Sequence, residues 1–534
     1  MTDETIAGSA PRPRRRLSVN TAIFAIATAL SRVAGLAREI VAASYFGTFG
    51  PASAFTIASQ IPNLMSNLFA QAALSAAFVP VFTDLLQQGR KREAFRLAST
   101  LFWIILIGLG ALTAVGILTA GLIMPLFTGS TFGPYLDHLT AGLAQVLYPV
   151  VLLLGLTGLL VGILQSYDEF TIPALAPAVW NLVILVGLVA LHSRFVPGKQ
   201  IYAYAVAWLI ATVVQLLMVA SALRRIDFRL QFSIDWRDPR VKQVFVLMLP
   251  VTIGLGIVNL DQLLNSVFGS LVSREAPRAI DNAFRIYMLP QGVFSVAVAT
   301  VLFPTLSRQA ARGDVAGMRR AVGIGMRQIN LLLIPAAALM MVLATPITRL
   351  VFQRGHFNAH STHLVSIALF WFAFSLPFGG LNLLLTRTFF AVQRPWIPTG
   401  LAGLNMIVDI VVSIALYKPL GIAGLVIGTA AANAVMTALQ YGRLKIGFNG
   451  RLEGVQTLMI TIRILVASVL LAGISWVIWY GLDHLLGRSL PAQILSVGVA
   501  ISIGIAVYAK VTLTLRIPEA RQIEDLVLGR LRRA

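Results

Sequence analysis

The sequence predicts an all-α polytopic membrane protein of about fourteen transmembrane helices. They form two six-helix lobes related by a pseudo-two-fold repeat, plus two extra C-terminal helices. Three observations predict this. The 534-residue chain is 57% hydrophobic and only 12% charged, with a mean hydropathy of +0.82, whereas soluble domains carry about 25% charged residues. Its apolar residues fall in long runs, and a bilayer crossing needs about 20 of them. Two distant stretches of the chain also repeat one another at a nearly constant offset.

In chain order the fourteen runs are 17–45, 53–84, 95–127, 136–165, 171–192, 201–223, 241–271, 279–306, 316–351, 362–391, 396–416, 420–442, 457–483 and 490–514. Several are longer than one crossing requires, which implies tilt, kinks or projection past the bilayer. Pro62, Pro250 and Pro290 fall inside the second, seventh and eighth runs. Proline removes a backbone hydrogen bond and bends a helix. Bent helices line cavities in transporters, and an ordinary packing kink accounts for any single proline as well.

Residues 1–16 read as a basic cytoplasmic arm, and the run that follows is too long for the apolar core of a cleavable signal peptide. With the N-terminus inside, the cytoplasmic segments are 12–16, 89–96, 224–242, 307–320, 387–394, 443–451 and the tail 515–534. They carry roughly 28 Lys/Arg against about 8 in the opposite loops, a positive-inside bias. An even number of crossings returns the C-terminus to the cytoplasm. The net charge of +21 is then the charge of inner loops beside anionic lipid, and nucleic acid is not an expected partner. Cysteine is absent, which excludes disulfides, thiol catalysis and thiolate metal sites.

The repeat is ungapped between FVPVFTDLLQQGRKREAFR (78–96) and LFPTLSRQAARGDVAGMRR (302–320), where Pro80, Gly89 and Arg96 match Pro304, Gly313 and Arg320, 224 residues on. TIPALAPAVWNLVILVGLVAL (171–191) echoes WIPTGLAGLNMIVDIVVSIAL (396–416). Both copies enter from the same side, so the lobes, 17–225 and 239–446, are parallel repeats suited to alternating access. Runs thirteen and fourteen, 457–514, stand outside the repeat.

Ionisable residues inside a membrane are functional candidates. Arg32 and Arg38 lie in SRVAGLARE, six positions apart and so about 120° apart around a helix. Glu39 adjoins Arg38 as a counter-charge. Arg285 lies in the eighth run, five residues before Pro290, with Asp281 one turn away. Arginine binds phosphate through a planar fork and never deprotonates, so this set points to an anionic ligand. The bland reading is snorkelling, or neutralisation by Glu39 and Asp281. An acidic set, Asp261 in the seventh run, Asn405 and Asp409 in the eleventh and Thr429 in the twelfth, offers oxygens for a small hard cation. Coupling to Na⁺ or H⁺ is the functional reading, and an interhelical polar contact with one protonated aspartate is the bland one.

No cofactor motif, Walker loop, HExxH or Ser–His–Asp pattern is visible. His356 and His360 form an i, i+4 pair in an external loop without an acidic third ligand and read as surface residues. The sequence predicts a transporter and not an enzyme, driven by an ion gradient or the membrane potential.

SRVAGLAREIVAASYFG, followed by IPNLMSNLFAQAALSAAFVPVFTD, closely resembles the opening of the MurJ/MviN family. FRIYMLPQGVFSVAVATVLFPTLS and LVFQRGHF resemble its second-lobe and ninth-span strings. The resemblance spans about residues 17 to 510 and implies a fourteen-span lipid II flippase of the multidrug/oligosaccharidyl-lipid/polysaccharide exporter superfamily. Such a protein moves the undecaprenyl-pyrophosphate-linked peptidoglycan precursor to the outer leaflet of the bacterial inner membrane. It implies substrate-binding roles for Arg32, Arg38 and Arg285, with Ser31, Glu39 and Asn63 beside them. It also implies a sodium site at Asp261, Asn405, Asp409 and Thr429. Expected partners are lipid II, membrane lipids and the cell-wall synthesis machinery, with the chain itself monomeric.

Departures from the family pattern are Met65, Ser66 and Asn67 where an arginine pair is usual, and Ser53, Gln71 and Met288 where carboxylates are usual. One cavity arginine and three carboxylates are thus absent together, which suggests a rebalanced cavity. A cation-coupled exporter of another polyprenyl-linked glycan or drug, and a non-transporting scaffold for envelope synthesis, are the alternatives.

Overall fold

The computed structural model describes residues 14–69, 72–448, 452–522 and 524, and among them every regular element is helical. The helices are α1 (Arg14–Phe46), α2 (Gly50–Phe69), α3 (Ala72–Gln87), α4 (Lys91–Ile123), α5 (Gly133–Ser166), α6 (Thr171–His192), α7 (Ile201–Ala222), α8 (Pro239–Val272) and α9 (Ala276–Pro290). After them come α10 (Val296–Ala311), α11 (Val315–Val342), α12 (Ala344–Phe352), α13 (Ala359–Ala391), α14 (Trp396–Leu420), α15 (Ile422–Gly447), α16 (Gly454–Leu486) and α17 (Leu490–Thr514).

Each expected apolar run coincides with helix over its described residues, but two are divided. Run 53–84 is helical on either side of residues 70–71, which lie outside the described residues, as α2 and α3, and run 316–351 breaks at Leu343 into α11 and α12. In run 279–306, Pro290 ends α9 and a π-helical turn, Gln291–Ser295, leads into α10. Proline has no N–H for the i−4 carbonyl, and a widened turn absorbs the mismatch. Eleven helical segments among the described residues are long and apolar enough to cross a membrane. The all-α membrane architecture therefore stands, while the expected count of fourteen crossings is not reached on that measure. Helices α1 and α8, at 33 and 34 residues, lie outside the eleven.

The repeat extends to the backbone. After α3, Gly89 takes φ +75° with Gly89 N–H donating to Leu86 O and Arg90 N–H to Leu85 O. After α10, Gly313 takes φ +67° with Gly313 N–H donating to Ala310 O and Asp314 N–H to Gln309 O. These are the same helix-ending bonds, 224 residues apart. Asp168 after α5 and Gln393 after α13, 225 residues apart, are both left-handed without being glycine (φ 61° and 57°). Glu169 N–H donates to Leu164 O as Arg394 N–H does to Phe389 O.

Packing divides the chain into two compact units: Met1–Val41, Met65–Thr119 and Ala144–Ile253, and then Ala42–Leu64, Ala120–Leu143 and Gly254–Ala534. The first unit has a core of Phe78, Phe82, Leu97, Leu101, Leu159 and Leu164 from α3, α4 and α5. In the second, α13 is central and packs on α9, α10, α11, α12 and α15, while α16 and α17 pair and α16 lies on α11. Leu331, Ile334, Ile460, Ile464, Leu471 and Tyr508 form the contact there.

The second unit also holds a polar seam. Ser44 O accepts from His356 N–H at 2.8 Å, Thr48 Oγ1 meets Ser361 Oγ at 2.8 Å, and Gln60 Nε2 donates to Ser266 Oγ at 3.2 Å. Gly129 N–H donates to Ser270 Oγ at 2.7 Å, and Arg274 Nε to Thr131 O at 2.7 Å. Residues of the first repeat (44–60 and 129–131) are thereby tied to residues of the second (266–274 and 356–361).

Candidate functional site

Helix α1 carries Ser31, Arg32, Arg38 and Glu39, and their environments differ sharply. Arg32 is exposed. Arg38 and Glu39 are 4% and 2% exposed. Arg38 donates from Nε at 3.1 Å and from Nη2 at 2.5 Å to Glu39 Oε1. Its guanidinium carbon lies 5.1 Å from the Trp180 ring and 5.3 Å from the Trp208 ring, and these two indoles meet edge to face at 5.1 Å. Tyr204 Oη donates to Glu39 Oε1 at 3.2 Å, and Trp180 Nε1 donates to Thr212 Oγ1 at 3.0 Å. A buried ion pair is tolerated when its lone pairs and protons find partners, and here α6 supplies Trp180 while α7 supplies Tyr204 and, one turn on, Trp208. One donor is left over: Arg38 Nη1 is buried without a partner among the described residues. Ser31 is fixed from α6 by Asn181, whose Nδ2 donates to Ser31 O at 3.3 Å and to Ser31 Oγ at 3.4 Å.

Arg285, on α9, is one-third exposed and donates from Nε to Asp281 Oδ2 at 3.0 Å. Asp281 Oδ2 also accepts from Arg278 Nη1 at 3.1 Å. Arg278 N–H in turn donates to Ser53 Oγ at 3.2 Å, and Ser53 is fully buried. Ser53 is one of the expected departures, and a hydroxyl accepting one bond suits that buried place without adding a charge. Met288 is 43% exposed, and Asn63 is half-buried. The side chains of Met65, Ser66 and Asn67, and Gln71 altogether, lie outside the described residues.

The acidic set converges on Asp409, which is 4% exposed on α14. Asn265 Nδ2 donates to its Oδ2 at 3.1 Å, Ser413 Oγ to its Oδ1 at 3.2 Å, and Thr429 Oγ1 reaches both oxygens at 3.4 and 3.5 Å. Asp261 on α8 interacts electrostatically with Asp409, and its Oδ1 is buried without a hydrogen-bond partner among the described residues. Like charges sharing a site disfavour ionising both carboxyl groups. Gly428 lets α15 pack closely against Asp409 and Ser413, since a Cβ there would stand 2.7 Å from Asp409 Oδ1. Asn405 is the exception to the expected set: its Nδ2 points to Met436 Sδ at 3.6 Å. The amide beside Asp409 is that of Asn265, on α8.

The structure adds residues that the sequence reading missed: Trp180, Tyr204 and Trp208 around Arg38, and Asn265 and Ser413 around Asp409. The one available signal was Trp208 one helical turn after Tyr204. His356 and His360 are both exposed. No group of three or more His, Cys, Asp or Glu able to hold a metal occurs among the described residues.

The family model for the lipid II flippase MurJ matches residues 42–516. The chain belongs to the lipid II flippase MurJ family. Similar relatives include a probable lipid II flippase MurJ of Rhizobium meliloti, 31% identical over 431 residues and covering 78% of each chain. Another is a probable lipid II flippase MurJ of Rhizobium tropici, 30% identical over 498 residues and covering 90% of this chain and 91% of that one. Among solved structures, a lipid II flippase MurJ in an inward closed conformation matches with a TM-score of 0.74 at 22% identity, over 91% of this chain and 98% of that one. An inward-facing MATE-family multidrug transporter matches at 0.65 and 16% identity, over 79% and 94%. At such identities these two structures share the fold.

Proposed function

We propose that this chain is a lipid II flippase, a transporter that carries undecaprenyl-pyrophosphate-linked peptidoglycan precursor from the inner to the outer leaflet of the bacterial inner membrane by alternating access. The observation that carries the reading is membership of the MurJ family over residues 42–516, and intramembrane arginines supply the chemistry a pyrophosphate requires.

In our reading Arg32, exposed and permanently charged, makes the first contact with the anion. Arg38 waits in its aromatic surround with Glu39 as a resident counter-ion and Nη1 unsatisfied. A phosphate oxygen reaching Nη1 gains a charge-assisted bond without breaking the Arg38–Glu39 pair. Arg285 holds phosphate from the second repeat, with Asp281 setting its direction.

With both termini cytoplasmic, the polar seam from Ser44 to Ser361 lies at the outer face and acts as the outer gate, closed here. Opening it exchanges hydrogen bonds for water, a small free-energy change per bond and so compatible with cycling. The two lobes, 17–225 and 239–446, move as the halves of the cycle, and spans 457–514 receive the lipid tail. The Asp261–Asp409–Thr429 site, with Asn265 in place of Asn405, binds Na⁺ or a proton that resets the cycle. Purified protein in liposomes tests the reading directly: it should translocate lipid II, and Arg38→Ala should not. Translocation of a different polyprenyl-linked glycan in preference to lipid II would favour the exporter alternative. Complementation that survives joint neutralisation of Arg32, Arg38 and Arg285 would favour a scaffold.

A further inference from the structure

The two repeats treat one place in opposite ways. In the first repeat, Leu86 after the centre of α3, Tyr167 in the α5–α6 turn and Met218 near the end of α7 belong to an apolar cluster. Ile226 and Phe228 of the segment linking α7 to α8 cap it. Phe228 meets Phe95 edge to face at 5.3 Å. The second repeat has Ala310, Val392 and Arg443 at the positions 224 or 225 residues on, and α7 and α15 themselves end 225 residues apart. Ala310 and Val392 are smaller than Leu86 and Tyr167, and a cavity of about 750 Å³ lies there, lined by Ala310, Phe390, Val392, Arg394, Arg443 and Ile446 among others. That volume is in the range of ligand pockets.

The chemistry has changed along with the volume. Met218 is replaced by Arg443 and Glu169 by Arg394, so two guanidiniums stand where the first repeat has a thioether and a carboxylate. Phe389, Phe390, Val392, Ile397 and Ile446 keep part of the wall apolar. Phe390 and Ile446 are 46% and 74% exposed near the ends of α13 and α15, helices long and apolar enough to cross the membrane. Apolar surface on such helices, next to paired arginines at the helix ends, fits an occupant from the bilayer with an anionic head and an apolar tail.

We infer that this cavity is a binding site for an anionic phospholipid, its phosphate on Arg394 and Arg443 and part of its acyl chain against Phe390, Val392 and Ile446. The cavity is separate from Arg32, Arg38, Arg285 and the Asp409 set, and the inference does not depend on which headgroup is flipped.

The test is native mass spectrometry of the full chain with phosphatidylglycerol, phosphatidylcholine, sn-glycerol 3-phosphate and a synthetic peptide of residues 224–234. Phosphatidylglycerol should bind the wild-type protein. Arg394→Ala with Arg443→Ala, both at exposed positions, should weaken it about tenfold, the scale of losing two exposed charge contacts. Ala310→Leu with Val392→Tyr, which restores the first-repeat residues, should displace it by filling the cavity. Equal binding of phosphatidylcholine, equal binding of the free phosphate ester, or undiminished phosphatidylglycerol binding by the arginine variant would each overturn the assignment. So would capture of the peptide at this site without phosphatidylglycerol binding.

Discussion

At the residue scale, Arg38 shows how much a sequence can and cannot say. Its adjacency to Glu39 makes a counter-ion legible, and the pair forms. The indoles that flank it come from positions 142 and 170 residues further on, so only tertiary packing brings them in. Cation–π contact with a desolvated guanidinium contributes about 2 kcal/mol or more, enough to hold one rotamer. Trp180→Ala should therefore lower lipid II affinity while protein levels stay normal, and Trp180→Phe should restore most of it; a loss of folded protein in both would reduce Trp180 to a packing role. Asp409 repeats the lesson: Asn405 shares its helix face by spacing, yet the amide that reaches it is Asn265 from another helix. With Asp409→Asn, any stimulation of transport by Na⁺ or by a proton gradient should vanish; stimulation equal to wild type would remove the coupling site.

At the element scale, apolar runs located the helices because membrane helices must satisfy every backbone group internally. What the runs did not show was where helices break. Pro290 marks the π turn before α10, and Pro346, in the first turn of α12, has no N–H for Val342 O, the last residue of α11, so it marks the break at Leu343. Glycine announced the ends of α3 and α10, whereas Asp168 and Gln393 adopt left-handed backbone without that signal and became legible only through the repeat.

Elements outside the repeat are fastened by a cluster that the sequence reading did not single out. Arg327 on α11, 5% exposed, pairs with Glu519 beyond α17, 3% exposed, and donates from Nη1 to Glu453 before α16 at 2.8 Å. Removing the arginine leaves a buried carboxylate unpaired, which costs about 3–5 kcal/mol. Arg327→Ala should lower the melting temperature of the purified protein by several degrees, and removal of Glu519 as well should recover part of the loss. An unchanged melting temperature would show that α16 and α17 are held by apolar packing with α11 alone.

At the scale of the whole molecule, the sequence supplied the class, the repeat and the family resemblance, and the structure supplied the contacts within each unit. The seam joining residues 44–60 to 266–361 is the outer gate in our account, and it offers a direct lock. Thr48 and Ser361 stand with their hydroxyl oxygens 2.8 Å apart, and the chain has no native cysteine. Thr48→Cys with Ser361→Cys should cross-link under oxidation, abolish transport, and regain it on reduction; full transport by the oxidised protein would separate the seam from gating.

The central claim, that intramembrane arginines carry a pyrophosphate lipid across the bilayer, comes down to one measurement. Full-length wild-type and Arg38→Ala proteins are reconstituted in liposomes, and the appearance of lipid II in the opposite leaflet is followed over time. The account predicts protein-dependent translocation by the wild type and none above the empty-liposome rate by the variant. Translocation at the wild-type rate by Arg38→Ala would contradict it.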